Sequence, residues 1–163
     1  MIENTYDKVV YFSEYLSCVK KDGKWGLFGK IKEITPCIYD EISPLYKGFA
    51  YVKKNDKYGF IDSNGKEITE CVYDMVWPFY NGRACVEKDG KYGYINKLGK
   101  EIIPIIYDKA TNFGYGYALV SKNNEFGYID KAGKEYFDET EKEDLQKYLR
   151  FQKTIKKEDI EKE

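Results

Sequence analysis

The chain has 163 residues, with 27 basic and 28 acidic side chains and no histidine. That is one domain's length, able to bury roughly 68–70% of its unfolded surface, and 42% apolar with 34% charged residues excludes a disordered polymer. A net charge of −1 excludes a strong global pull on nucleic acid or an anionic membrane, and the missing histidine removes the commonest general base and metal ligand together.

At the start, Met1 to Asp7 lack the basic residues and apolar run of a secretory signal. No stretch reaches the roughly 18 apolar residues of a membrane span. A cytoplasmic protein is expected. The four cysteines, Cys18, Cys37, Cys71 and Cys85, form no Cys-x-x-Cys pair. They read as reduced thiols, without a disulfide framework and without a metal site.

Self-comparison shows a repeat. Tyr-Asp occurs at Tyr6-Asp7, Tyr39-Asp40, Tyr73-Asp74 and Tyr107-Asp108, with steps of 33, 34 and 34 residues. An aromatic-Gly pair follows each after a constant 19 residues, at Trp25-Gly26, Tyr58-Gly59, Tyr92-Gly93 and Phe126-Gly127. Gly-Lys-Glu at Gly65, Gly99 and Gly133 is a third anchor; in the first copy it becomes Ile31-Lys32-Glu33, and that lost glycine accounts for the shorter step.

One unit, Gly48 to Asn81, shows the elements in order. Gly48 to Lys53 is rich in aromatic and β-branched residues and predicts a strand. Lys54-Asn55-Asp56-Lys57 is turn chemistry, matched by Lys21-Asp22-Gly23-Lys24 and Lys88-Asp89-Gly90-Lys91, and Asp-Gly is a strong hairpin signal. Tyr58 to Asp62 is the return strand, and Ser63-Asn64-Gly65 a second turn. Lys66–Thr69 and Cys71–Val76 supply short extended pieces that end at Trp77-Pro78-Phe79. Each unit thus predicts a β-hairpin plus a short extra strand. One hairpin is marginal alone, so neighbours must share a core. Thirty-four residues is short for a propeller blade of about 40–45, which favours a twisted or curved array over a closed ring.

After Asp138 the character changes. Residues 139–163 hold 8 acidic and 7 basic side chains with no Gly or Pro. Leu145, Tyr148, Leu149, Gln152 and Ile155 follow helical spacing. Thr140 with Glu143 predicts a capping box, and Glu143 with Lys147 an i,i+4 pair. A helix laid over the end of the array is favoured over a free partner-binding helix.

The literal Lys24-Trp25-Gly26, with Lys57-Tyr58-Gly59, Lys91-Tyr92-Gly93, Glu125-Phe126-Gly127 and the Tyr-Asp and Gly-Lys-Glu anchors, closely resembles the WG repeat family, also called KWG repeats. The resemblance covers about residues 6–138. It implies a largely bacterial interaction or structural repeat, and carries over no catalytic residue. Only the first copy keeps the tryptophan.

No catalytic constellation stands out. The column Asp7, Asp40, Asp74 and Asp108 repeats at the structural period, which spreads the carboxylates one per unit and suits them to capping turn N–H groups. Serine or cysteine nucleophiles lack a histidine base. The aromatic column Trp25, Tyr58, Tyr92 and Phe126 could stack sugars or single-stranded nucleic acid, but cross-strand packing in the core is favoured, with the glycine admitting a close backbone. Lys21, Lys54, Lys88 and Lys122 near the hairpin tips are offset by Asp22, Asp56 and Asp89, so nucleic-acid binding ranks third. Trp77 stands where other units place Ser43 and Thr111, and a tryptophan there is expected at the surface as a partner-binding anchor, extended by Tyr46, Tyr80 and Tyr115.

The expected architecture is all-β: tandem ~34-residue β-hairpin repeats over residues 1–138 in a twisted or curved array, followed by a charged amphipathic α-helix over 139–163. The expected function is a non-catalytic protein–protein interaction module, an adaptor or a small inhibitor docking on a target, with no cofactor and no membrane. The alternative is a carbohydrate- or ligand-binding module using surface aromatics.

Overall fold

The computed structural model describes residues 5–160, with the side chains of 155–160 outside that description. Four antiparallel four-stranded sheets follow one another along the chain. The first is β1 (Lys8–Ser13), β2 (Leu16–Lys21), β3 (Lys24–Gly29) and β4 (Glu33–Tyr39). The second is β5 (Glu41–Ile42), β6 (Phe49–Lys54), β7 (Lys57–Asp62) and β8 (Glu67–Tyr73). The third is β9 (Met75–Val76), β10 (Arg83–Lys88), β11 (Lys91–Asn96) and β12 (Glu101–Tyr107). The fourth is β13 (Lys109–Ala110), β14 (Tyr117–Lys122), β15 (Glu125–Asp130) and β16 (Glu135–Tyr136). Strands pair in chain order within each sheet.

Every unit therefore contains its hairpin and one strand more than the expected single extra piece. The Asp of each later Tyr-Asp pair is the reason. It interrupts pairing, so β8 ends at Tyr73 and β9 resumes at Met75 in the next sheet. Thirty-four residues suffice because that joining strand is only two residues long and the hairpin turns take two residues each. Asp22 and Gly23 have φ of 49° and 78°, and Asp89 and Gly90 52° and 74°. Both central residues are left-handed, as a type I′ turn requires.

Adjacent residues on the middle strands point to opposite faces, and both faces are buried. Ile61 packs toward the first sheet with Ala50 and Val52, against Leu27 and Tyr39. Phe60, beside it, packs toward the third sheet against Phe79, Ala84, Val86 and Ile95. The pattern recurs one junction on, where Tyr94, Ile103 and Tyr107 meet Phe113, Val120 and Ile129. Among the described residues, four sheets are thus joined by three cores in an open row.

Helix α1 (Glu139–Ile160) follows the fourth sheet. Its cap is Asp138, two residues ahead of the expected Thr140: Asp138 Oδ1 accepts from the Thr140 and Glu141 N–H groups at 3.0 and 3.3 Å. Asp serves because its short carboxylate reaches the first free amides. The Glu143–Lys147 pair does not form, since Lys147 turns to Asp144 at 3.6 Å. Leu145 is buried, Leu149 and Gln152 are half-buried, and the Tyr148 ring meets Tyr117 at 6.3 Å. The helix therefore contacts the fourth sheet, through the Tyr148 ring on Tyr117 and through Lys142, which donates to the Phe126 carbonyl at 3.3 Å. The side chain of Ile155 and residues 161–163 lie outside the described residues.

The glycine after each column aromatic is a packing requirement. A Cβ on Gly59 would stand 2.6 Å from the Glu70 carbonyl oxygen and 2.7 Å from that of Thr69, on the neighbouring strand. Gly114 has open space around its Cβ position. Gly59→Ala is therefore expected to cost about 1–3 kcal/mol, and Gly114→Ala to stay within about 0.5 kcal/mol of the parent. Urea unfolding of both variants checks this; equal midpoints would refute the close-approach account.

Candidate functional site

The row has two edges. The tip edge carries the I′ hairpin turns and the Asp column, and here each carboxylate does structural work. Oδ2 of Asp7, Asp40, Asp74 and Asp108 accepts an N–H from the tip of the following hairpin: Asp22 at 2.8 Å, Asn55 at 3.1 Å, Asp89 at 2.7 Å and Asn123 at 2.8 Å. Oδ1 of Asp40, Asp74 and Asp108 meets the ammonium of Lys24, Lys57 and Lys91, the lysine that precedes the aromatic-Gly pair one sheet back. The bonded lysine holds each of these three carboxyls below its usual range, with the tip amide helping. One residue type thus ties hairpin to sheet and sheet to sheet. The carboxylates stay one per unit, as the period predicts.

Beside them, Tyr107 donates to Glu135 at 2.9 Å and Tyr6 to Glu33 at 3.2 Å. Burial raises the Tyr107 phenol, with Glu135 adding to it. Burial also lifts the Cys18 thiol to about 11 and the Cys85 thiol to about 12, which keeps both protonated and unreactive at neutral pH. All four cysteines are free thiols, and no group of three or more Cys, Asp or Glu suited to a metal ion occurs among the described residues.

The expected aromatic core column is corrected. Trp25, Tyr58 and Tyr92 are only half-buried, and Phe126 is 55% exposed. They sit next to the hairpin tips, at the rim of the sheet contacts, and the core positions fall two residues later at Leu27, Phe60 and Tyr94. Cross-strand packing does occur: Tyr58 meets Tyr51 at 5.8 Å, and lysines cover the rims, with Lys20 5.4 Å from Trp25 and Lys53 5.4 Å from Tyr58.

The opposite, turn edge carries the exposed tyrosines. Tyr46-Lys47-Gly48-Phe49 and Tyr80-Asn81-Gly82-Arg83 are matching two-residue turns, each closed by a reciprocal pair of backbone hydrogen bonds. The tight turns hold Tyr46 and Tyr80 outward, 41% and 46% exposed, with rings stacked at 6.4 Å and 18°. Lys47 Nζ lies 5.3 Å from both ring centres. Next to them a recess of about 180 Å³ opens between the second and third sheets, walled by Pro44, Tyr46, Phe49, Tyr51, Pro78 and Phe79. Phe79 forms its floor, clamped between Phe49 at 4.7 Å and Phe60 at 4.8 Å.

Tyr115 is also exposed, at the corresponding turn of the fourth sheet but one position later in the repeat. Trp77 does not join these rings. It is half-buried against the third core and meets Tyr92 at 5.7 Å. Ser43 and Thr111 in the same column use their hydroxyls to accept the N–H of Tyr51 and Leu119, both at 3.0 Å. Tryptophan has no acceptor, so Trp77 fills space instead. The junction of third and fourth sheets lacks a matching recess wall: Arg83 replaces Phe49, packs 5.4 Å over Phe113, and donates to the Lys131 carbonyl at 3.0 Å.

Sequence reasoning missed the recess, although its signal was present. Pro44-Leu45-Tyr46 and Pro78-Phe79-Tyr80 recur at the 34-residue step, and the third copy, Asn112-Phe113-Gly114, breaks the pattern. A larger recess of about 480 Å³ on the first sheet is lined by Tyr6, Tyr15, Phe28 and Ile31 among others. Its lining includes Thr5, the first of the described residues.

A family profile described as "WG containing repeat" matches residues 1–25, 31–58, 58–92 and 92–125. No curated protein matches. Among solved structures, Kluyveromyces lactis Hsv2 with loop 6CD replaced by a Gly-Ser linker aligns at 10% identity and a TM-score of 0.46, over 77% of this chain and 48% of that one. Kluyveromyces lactis Hsv2 itself gives 10% identity and 0.44, over 74% and 43%. The chain spans less than half the length of those proteins. Nothing further about this chain follows from likeness at that level.

The Asp staples make a pH prediction. A carboxyl with a lowered folded-state pKa adds stability above the ordinary value near ~3.9, and that stability is lost as pH falls through the folded value. The urea midpoint should hold steady from about pH 7 to 5 and fall below about pH 4. Asp40→Asn/Asp74→Asn/Asp108→Asn should start lower and lose less in that acid range. A triple variant with the full parental acid drop would refute the staple's ionic character.

Proposed function

The chain belongs to the WG-repeat family, and from that premise we propose that it is a non-catalytic module that binds another protein through the turn edge of its sheets. The observation that carries this reading is the Tyr46–Tyr80 pair. Two corresponding turns, 34 residues apart, each hold a tyrosine out toward solvent, and the two rings stack beside an apolar recess. Leu45 and Phe79, the residues just before them, already supply the core anchors at their junctions. The tyrosines are therefore surplus to folding. Tyrosine brings large, rigid contact area with a polar tip at low entropic cost, which suits an interface. The partner is held at an adaptor-type or inhibitor-type contact, and four free thiols suit a cytoplasmic setting.

Among the described residues, no helix is long and apolar enough to cross a membrane. The sugar-stacking column of the alternative is Trp25, Tyr58, Tyr92 and Phe126, and its first two rings each have a lysine ammonium over them at 5.4 Å. The turn-edge pair is the better supported contact.

Affinity capture from the native host with the parent chain and Tyr46→Ala/Tyr80→Ala tests this. The double variant should fold as the parent does by circular dichroism and lose a specific co-purifying protein at least tenfold. An unchanged set of captured proteins would refute the turn edge as the binding surface.

A further inference from the structure

We propose that the turn edge recognises an extended acidic peptide segment of the partner, with one bulky apolar residue seated in the recess between Pro44, Tyr51, Pro78 and Phe79. The inference rests on the reading above and names the chemistry of that contact.

The charge distribution comes first. The connections at this edge of the second, third and fourth sheets, residues 43–49, 62–66, 77–83, 96–100, 111–117 and 130–134, carry seven basic side chains and two acidic ones. The chain as a whole is nearly neutral, so the shortage of acids leaves this edge with a local excess of cations. The two acids, Asp62 and Asp130, are occupied locally. Asp62 Oδ1 accepts the N–H groups of Asn64 and Lys66, both at 2.9 Å, and Asp130 Oδ1 those of Ala132 and Lys134 at 2.8 and 3.0 Å. Among the described residues, Lys47, Lys66, Lys97 and Lys100 form no ion pair. At the tip edge Lys24, Lys57 and Lys91 are each paired with an aspartate, and Lys21, Lys54 and Lys88, which form no ion pair among the described residues, share their tips with Asp22, Asp56 and Asp89.

Two of these free cations stand at the recess itself. Lys47 Nζ is 5.3 Å from the Tyr46 and Tyr80 rings, and Lys97 Nζ is 5.8 Å from Phe49. The recess walls carry no charge, and Ser43 adds its only small polar side chain. An apolar pocket rimmed by unpaired ammonium groups complements an apolar residue flanked by carboxylates. A volume of about 180 Å³ suits one side chain, well below the roughly 300–1,000 Å³ of a small-molecule site.

Lysines beside aromatics also attract single-stranded nucleic acid. Here the tyrosine faces are turned to each other and bridged by Lys47. Few free ring faces remain for stacking, so peptide is the favoured occupant.

The test is selection of a randomised peptide display library on the whole chain, followed by fluorescence polarisation with the selected synthetic peptides. Enriched sequences should be rich in Asp and Glu around a Phe, Leu, Trp or Pro. Replacing their acids by Gln or Asn should weaken binding at least tenfold, as should Lys47→Met/Lys97→Met and a rise from 0.05 to 0.5 M salt, roughly as expected for charges that face each other across solvent. Neutral or basic enriched peptides, undiminished binding to the lysine variant, tighter binding of a dT oligonucleotide, or no enrichment would each overturn the inference. A native partner lost by Tyr46→Ala/Tyr80→Ala but fully retained by Lys47→Met/Lys97→Met would leave the interaction surface standing and remove its acidic ligand.

Discussion

Each of the three cores belongs to two sheets, so no unit of the row buries its own apolar residues. Phe60 and Ile61 are neighbours on β7, yet one completes the core ahead and the other the core behind. A 34-residue unit taken alone would leave both faces of its hairpin in water, which three or four short strands cannot offset against the entropy of ordering them. Sharing is the solution, and it makes the relative placement of successive sheets a condition of folding. The Asp staple supplies that placement. Its two oxygens bind elements on either side of one junction, and the lysine comes from the sheet before.

Sharing also divides the molecule by task. Strand interiors of the second and third sheets have no free face to give to a ligand, and the tip edge is occupied with charge pairs and turn amides. The turn edge is different. Its two-residue turns are closed by their own backbone bonds, so the identity of residues 46, 47, 80 and 81 is constrained by φ and little else. Variation is cheap there, and that is where the turn of the fourth sheet departs from those of the second and third. The proposed contact thus falls where the repeat's own rules are weakest.

Much of this was legible in the residues. The period, the hairpins and their Asp-Gly turns are written in short-range chemistry, because positive φ at both turn positions favours Asn, Asp or Gly. The tail's helical spacing was equally plain. Other features were not. A two-residue strand such as Met75–Val76 is too short to show alternation, so in the second, third and fourth sheets the joining strand could not be told apart from the strand before it. Trp25, Tyr58 and Tyr92 looked like core because they recur, but recurrence measures repetition of surroundings, and the rim of a sheet contact repeats as faithfully as its centre. Trp77 looked exposed because its column holds Ser43 and Thr111. Those residues are polar in order to accept a backbone N–H, a role invisible without the fold.

Net charge gives the last step. A total of −1 suggests a surface without direction, and over residues 1–138 the balance is zero. Yet pairing is unequal in space. At the tips, lysine and aspartate neutralise each other across sheet junctions, so their fields cancel within a few ångströms. At the turns, Lys47, Lys66, Lys97 and Lys100 form no ion pair among the described residues, while Asp62 and Asp130 are bound up with backbone amides. Electrostatic attraction depends on the local unpaired charge and its distance from the ligand, and screening limits it to about 8–10 Å at physiological salt. A chain neutral in sum can thus be basic along one edge, and the same staple chemistry that locks the sheets together leaves that edge its charge.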